Sequence, residues 1–420
     1  MDTYDAPSVE GFVPFFRRYA QTWIHAVAAA CMTAFGTLTI VHRGFAILAL
    51  ASYVLPPIVL YLRGPSTDRA ERDTTTDRAE TVASDDGSTD AGTVPLEHVE
   101  SEGSTAIEAD DIAVDRATES ESPERWAVVA VPTEATLRDV CVTATGAVYA
   151  VGEDGLVLAG RITDRADRGW EIALEDGPDA AEEDLHGVDA TADGAVVWVA
   201  GDSGAVGRLE ATTGRHTDYT APAEITDNWL GVAVGGPAGD ETVLLINGSG
   251  AVLTGRYRDG DLSWNEPVTP GSGSSLSGVA LADASVGYCC DTNDDVFETT
   301  DGGDSFARVG PVGADGTLEN LATLGRDDCF VSADDGVVHR YDGGTWTPER
   351  VGEEAICGIT RREGETIVCD ADGTIHERTA MAAWTRADTV ASESLLAVSV
   401  DNEGNRAVAV GENGTVVERR

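Results

Sequence analysis

The sequence predicts an all-β chain, a seven-bladed β-propeller of four-stranded blades closed by its N-terminal strand and preceded by an α-helical transmembrane hairpin. Three observations carry that expectation. A strand-rich unit recurs seven times at spacings of 38 to 48 residues. A segment ahead of the first unit supplies the strand that the last unit lacks. An almost unbroken apolar stretch covers 19–62. A period in that range means units that cannot bury their own faces and must stack on neighbours.

Each unit opens on an apolar residue, a variable one, a small or polar one, then Val, Leu or Ile. The pattern reads LRDV at 137, LHGV at 185, WLGV at 229, LSGV at 276, LENL at 318, ICGI at 356 and LLAV at 395. A second and a third strand follow, joined by a four-residue turn, as in VYAVGEDGLV at 148 and AVAVGENGTV at 407. The last turn position is Gly155, Gly204, Gly250, Asp294, Gly336, Gly373 and Gly414. Glycine there fits a hairpin needing positive φ, and Asp is among the few side chains that tolerate it. The fourth strand opens on Trp170, His216, Trp264, Phe306, Trp346 or Trp384 in units one to six. The seventh unit reaches Arg420 without one, and RWAVVAVP at 125–132 has its form. That strand is expected to complete the last blade and remove the open edge.

With VYAVGEDGLVL and AVAVGENGTVV the units resemble the propeller repeats of the photosystem II assembly and stability factor family. TTDGGDSF at 299–306 gives a second likeness, to the Asp-box (BNR-like) propellers, and YDGGTW at 341–346 is a shortened version. The likeness covers 126–420. It implies a structural turn in which Asp301, with Gly302 and Gly303, bonds its own backbone while Phe306 packs between blades. The first family implies a scaffold for membrane complexes. The second implies a surface-exposed glycan-active or glycan-binding alternative.

The chain carries 74 acidic residues against 28 basic, a formal charge of −46, and every basic residue is arginine. The acid is spread along the soluble part, which points to life in molar salt. There a Debye length of about 3 Å screens self-repulsion. Such a surface repels phosphates, so no nucleic-acid partner is expected. Seven cysteines occur without a CxxC pair. Cys31 falls in the apolar N-terminal region, and Cys141, Cys289, Cys290, Cys329, Cys357 and Cys369 fall in strands, where they read as small buried thiols.

Four segments follow: 1–18, a transmembrane helical hairpin at 19–63, an acidic disordered linker at 64–124, and the propeller at 125–420. Tyr19 to Val41 and Gly44 to Leu62 are each long enough to span a bilayer. The apolar region runs on past Cys31, where a cleaved signal would end. Arg17, Arg18, Arg63 and Arg69 flank the outer ends and only Arg43 sits in the turn, so the positive-inside rule puts the propeller in the cytoplasm. An extracellular propeller is the alternative. The linker lacks aromatics and is rich in Ser, Thr, Asp and Glu, too polar to offset its ordering entropy.

The second position of the opening strand should line one mouth of the channel, with Arg138, His186, Ser277 and Glu319 as candidate binding residues beside Leu230, Cys357 and Leu396. His339 and His376 occupy matching positions in units five and six without a third ligand, and DTNDD at 291–295 has only part of a calcium loop. No catalytic constellation, metal site or cofactor motif is legible. The expected function is a membrane-anchored, non-enzymatic interaction scaffold that uses membrane lipid through 19–63 and an unknown protein partner, such as a membrane complex. A small-ligand sensor using the channel is a further alternative.

Overall fold

The computed structural model describes residues 126–162, 168–310, 312–380, 382–387 and 391–419. These form seven four-stranded antiparallel sheets. Blade 1 is Leu137–Val142, Val148–Gly152, Val157–Ile162 and Arg168–Leu174, paired in that order. Blades 2 to 6 repeat the order, with first strands Leu185–Ala190, Trp229–Gly235, Leu276–Leu281, Leu318–Gly325 and Ile356–Arg362. Each first strand packs beside those of its two neighbours, and Leu395–Val400 of blade 7 packs beside Leu137–Val142, so the ring closes.

Closure is made by the N-terminal strand. Blade 7 pairs Trp126–Val128 on Val416–Arg419, with Trp126 opposite Arg419 and Val128 opposite Val417. One further bond runs from Val129 N to Val416 O at 2.9 Å. In the described residues the strand ends at Val128, short of the expected 132. Pro132 has no N–H with which to extend the ladder.

The apolar core lies between the blades. Among the described residues one buried cluster occupies each blade–blade joint. Tyr149 and Val151 meet Leu185 and Val197 between blades 1 and 2, and Trp198 and Trp229 are fully buried between blades 2 and 3. Each fully buried Leu, Val or Phe contributes about 1.5–3 kcal/mol. The stabilisation is therefore lost joint by joint if a neighbour is missing.

All seven predicted turn positions have positive φ, from 64° at Gly414 to 82° at Gly336, with Asp294 at 67°. Glycine has a second cause here. A Cβ on Gly414 would stand 2.2 Å from Thr133 O, and one on Gly336 2.4 Å from Gly352 O, because the crossover to the next blade lies directly on the turn. Asp294 meets the same crossover with its carboxylate, which accepts from Gly313 N and Ala314 N at 3.0 Å each. Asp291 accepts from Asn293 N and Asp295 N, as Asn247 and Asp370 do in their own turns. The partial calcium loop is thus a hairpin turn capped by its own side chain.

In blades 1 and 3 the fourth-strand tryptophan rests on a third-strand glycine. A Cβ on Gly160 would meet Trp170 at 2.9 Å, and one on Gly255 would meet Trp264 at 2.5 Å. Only His216 and Trp346 open their strands: Trp170 lies within Arg168–Leu174, Trp264 closes Asp261–Trp264, and Phe306 and Trp384 precede the two-residue strands Ala307–Arg308 and Thr385–Arg386. Cys141, Cys289, Cys290, Cys329 and Cys369 are buried free thiols, and Cys357 is half-buried.

The hairpin, linker and N-terminal segment expected over 1–124 lie outside the described residues. Among the described residues no helix is long and apolar enough to cross a membrane.

Candidate functional site: the channel and its mouth

The inner strands enclose a channel cavity of about 450 Å³. Its mouth is built by a feature that the repeat pattern conceals. In every blade the pairing of first and second strands shifts register between the first and third residues of the opening motif. The residue skipped is the second one: Arg138, His186, Leu230, Ser277, Glu319, Cys357 and Leu396. A bulge leaves one residue unpaired and re-aims its side chain. Seven bulges in register thus turn one column of side chains away from its ladder.

Arg138, His186, Leu230, Ser277, Cys357 and Leu396 line the cavity. Glu319 is not among the lining residues, and its neighbour Asn320 is. Burial, with Asp334 nearby, raises the Glu319 carboxyl above its usual range. Of the four predicted binding residues the structure therefore brings three together. Two of those already have partners. Arg138 Nη2 bonds Asp184 Oδ2 at 2.8 Å and lies 3.6 Å from Glu153. His186 Nε2 is 2.8 Å from Asp202 Oδ1. Asp184 also accepts from Asp154 N, so the bulge side chains tie crossover loops to the neighbouring turns. Ser277 Oγ lies 3.4 Å from Cys290 Sγ.

Deeper in the channel, Asp139, Asp189 and Ser399 were not legible as site residues. The channel side of a first strand is a sheet edge whose N–H groups need acceptors. Asp139 takes Val140 N and, from the next blade, Val188 N, both at 2.8 Å. Asp189 takes Ala190 N at 2.8 Å and Val234 N of blade 3 at 2.7 Å. Ser399 takes Val142 N across the closing joint at 2.9 Å. Burial pushes the Asp139 carboxyl up to about 7, against the pull of its two amides and with repulsion from Asp189. Burial likewise raises Asp189 to about 6. Both carboxyls open onto the channel, whose walls hold them away from bulk water. Near neutral pH each can hold or release a proton. Burial holds the Cys357 thiol protonated by raising it to about 11.

The Asp301 turn folds on itself. Its carboxylate accepts from Ser305 N at 2.9 Å, Ser305 Oγ at 2.6 Å and Thr299 Oγ1 at 2.9 Å. Burial acts to raise its carboxyl, but these bonds outweigh burial and leave it below the usual range. Gly302 and Gly303 have positive φ, and Phe306 packs on the cluster shared by blades 3 and 4. His339 is buried on its strand, and His376 Nε2 lies 3.4 Å from Asp370. Among the described residues no group of three or more His, Cys, Asp or Glu is arranged to hold a metal.

No family model matches the chain, and no curated protein matches it. Solved structures do. The WD40 β-propeller domain of Doa1 has a TM-score of 0.57 at 13% identity, covering 71% of this chain and 96% of that one. The RRP9 WD40 repeats give 0.58 at 12%, covering 70% and 98%. A chain of the mitotic checkpoint complex gives 0.56 at 13%, covering 77% and 98%. At these identities the likeness is one of fold. The described residues form an all-β, seven-bladed propeller similar in structure to WD40 propellers.

Proposed function

We propose that this chain is a non-enzymatic interaction scaffold, anchored in a membrane by 19–63, that docks a protein partner on the face carrying the channel mouth. The observation that carries this reading is the bulge column. It places Leu230 and Leu396 beside Arg138 and His186 on a face braced by the Arg138–Asp184 ion pair and the His186–Asp202 hydrogen bond. A rigid mixed surface of that kind suits recognition, because little ordering entropy is spent on binding. The fold supports the same reading, since one similar structure is a chain of the mitotic checkpoint complex. The repeat likeness to the photosystem II assembly factors points the same way.

The test is cross-linking of the full chain in native membranes at molar salt. Wild type is compared with a variant carrying Arg138→Ala, His186→Ala and Leu230→Asp. Loss of a specific cross-linked partner, with an unchanged circular dichroism spectrum, supports docking at the mouth. An unchanged partner set places docking elsewhere. Protease cleavage of 64–124 in intact against lysed cells fixes the side: protection means a cytoplasmic propeller, cleavage an extracellular one. The charge of −46 makes the fold salt-dependent in this reading. Dilution from molar to millimolar KCl is expected to loosen it, and a flat far-UV signal would contradict that.

A second reading is favoured by the channel itself, whose volume lies in the range of small-ligand pockets. Asp139, Asp189, Asn320 and Ser399 give it a polar wall. A ligand screen by thermal shift at constant salt addresses this reading. A midpoint rise abolished by Asp189→Asn supports it.

A further inference from the structure

On the face opposite the mouth, blades 5 and 6 leave a cleft of about 370 Å³. It is lined by Arg340, Arg361, Arg362 and Arg378 around Phe330, with Asp328 and Glu365 among them. The four arginines share the cleft with four carboxylates, Asp327, Asp328, Asp342 and Glu365, but Asp327 and Asp342 are turned to other partners.

Arg361 holds Asp328 through both terminal nitrogens and lies 3.6 Å from the Phe330 ring centre, leaving its buried Nε without a partner. Arg362 bonds Glu365 at 2.6 Å, and Arg419 holds the same carboxylate. That leaves Glu349 for two guanidinium groups. Arg378 reaches it with Nη1 and gives Nε to Ala380 O at 3.2 Å. Arg340 comes no nearer than an ion-pair contact of 3.6 Å, and its buried Nε has no hydrogen-bond partner among the described residues. Trp384 Nε1 also draws on Glu349. Burial and the Arg340 charge hold Arg378 below the usual guanidinium range. At the rim, Asp342 accepts from Thr345 N, and Asp327 lies 3.9 Å from Arg326.

We propose that this cleft is an anion site, taking a carboxylate group between Arg340 and Arg378 beside Phe330. A planar carboxylate matches the two-pronged donor edge of a guanidinium. Its charge relieves the Arg340–Arg378 repulsion. Phe330 is the cross-strand partner of Arg340, so the aromatic wall and the free donor stand on one blade. The site is independent of the mouth face, and its failure leaves the docking reading untouched.

The carboxylate has two sources, a small free acid or an acidic segment of a partner. Purified full-length chain in detergent, at fixed molar KCl, is titrated with potassium citrate and separately with a tetraglutamate peptide. The melting midpoint is followed for wild type, Arg340→Gln and Arg215→Gln. Arg215 is an exposed blade 2 residue and controls for the loss of one positive charge. General salt effects act equally on all three proteins. The proposal expects a saturable rise in wild type and Arg215→Gln, with apparent affinity weakened about ten-fold or lost in Arg340→Gln. Saturation by citrate at the lower concentration identifies a small acid, and saturation by the peptide at the lower concentration identifies an acidic segment. The same response of all three proteins to both probes, or no saturable response, overturns the site.

Discussion

Blade 7 meets blade 1, and blade 5 meets blade 6, through the same kind of joint, but the two are filled differently. At the first, Arg406 is 1% exposed, and it bonds Glu418 at 3.0 Å and the carbonyls of Gly146 and Gly160 at 2.9 Å each. Trp170 Nε1 gives its hydrogen to the same carboxylate. Arg208, Glu241 and Trp198 repeat this between blades 2 and 3. At the second, Glu349 serves Arg378, Trp384 and Arg340 together. A buried ion pair in which one carboxylate serves one guanidinium locks a joint. One that is short of acceptors leaves a charge for something else to neutralise. The difference separates a structural joint from a candidate binding cleft.

The largest effect should come from removing the matched acceptor. Glu418→Ala leaves Arg406 buried without its carboxylate and is expected to cost about 3–5 kcal/mol in unfolding at fixed salt. Glu349→Ala should cost less than half as much, because its surroundings are partly open to water and Arg378 keeps Ala380 O. Equal costs would erase the distinction between the joints.

The turns come next. Gly414→Ala faces both positive φ and Thr133 O at 2.2 Å, whereas Gly364→Ala, at φ 80°, meets open space. The second should cost about 1–2 kcal/mol from backbone strain alone, and the first clearly more. Chemical denaturation of the two variants checks the order.

A smaller effect concerns pH. The folded state raises Asp139 to about 7 and Asp189 to about 6, so it holds protons that the unfolded chain has released. Their contribution to stability is therefore full below about pH 4 and falls as pH rises through 6 to 7. The melting midpoint of Asp139→Asn/Asp189→Asn should fall less than that of wild type between pH 5 and 8, by about a few degrees at most. Parallel curves would show that the two carboxyls do not titrate in this window. Arg215→Gln, at an exposed pair, should leave the midpoint unchanged.

The fold was legible because it rests on local, repeated chemistry. The turn glycines and the fourth-strand aromatics each recur in register, and the closing strand could be assigned by counting. Inner-strand bulges were not legible, since a bulge changes pairing without changing composition. Arg138, His186, Ser277 and Glu319 were assigned to one column by the repeat alone; the bulge is common to all four, and the first three line the cavity while Glu319 does not. The Asp139 bridge and the Arg340 cleft exist only once neighbouring blades have stacked, and the Trp170–Glu418 bond across 248 residues only once the ring has closed. No short window of sequence holds both halves of them.

Closure by the N-terminal strand completes blade 7 and holds the ring shut. Hydrogen exchange of the full chain at molar salt tests it directly through the amides of 126–131. The account predicts that Val129, which bonds Val416 O, is protected to the same degree as the strand Val416–Arg419. Exchange of that segment at the rate of free chain, while 137–162 stays protected, would show a ring that holds its blades without the strand and would contradict the account.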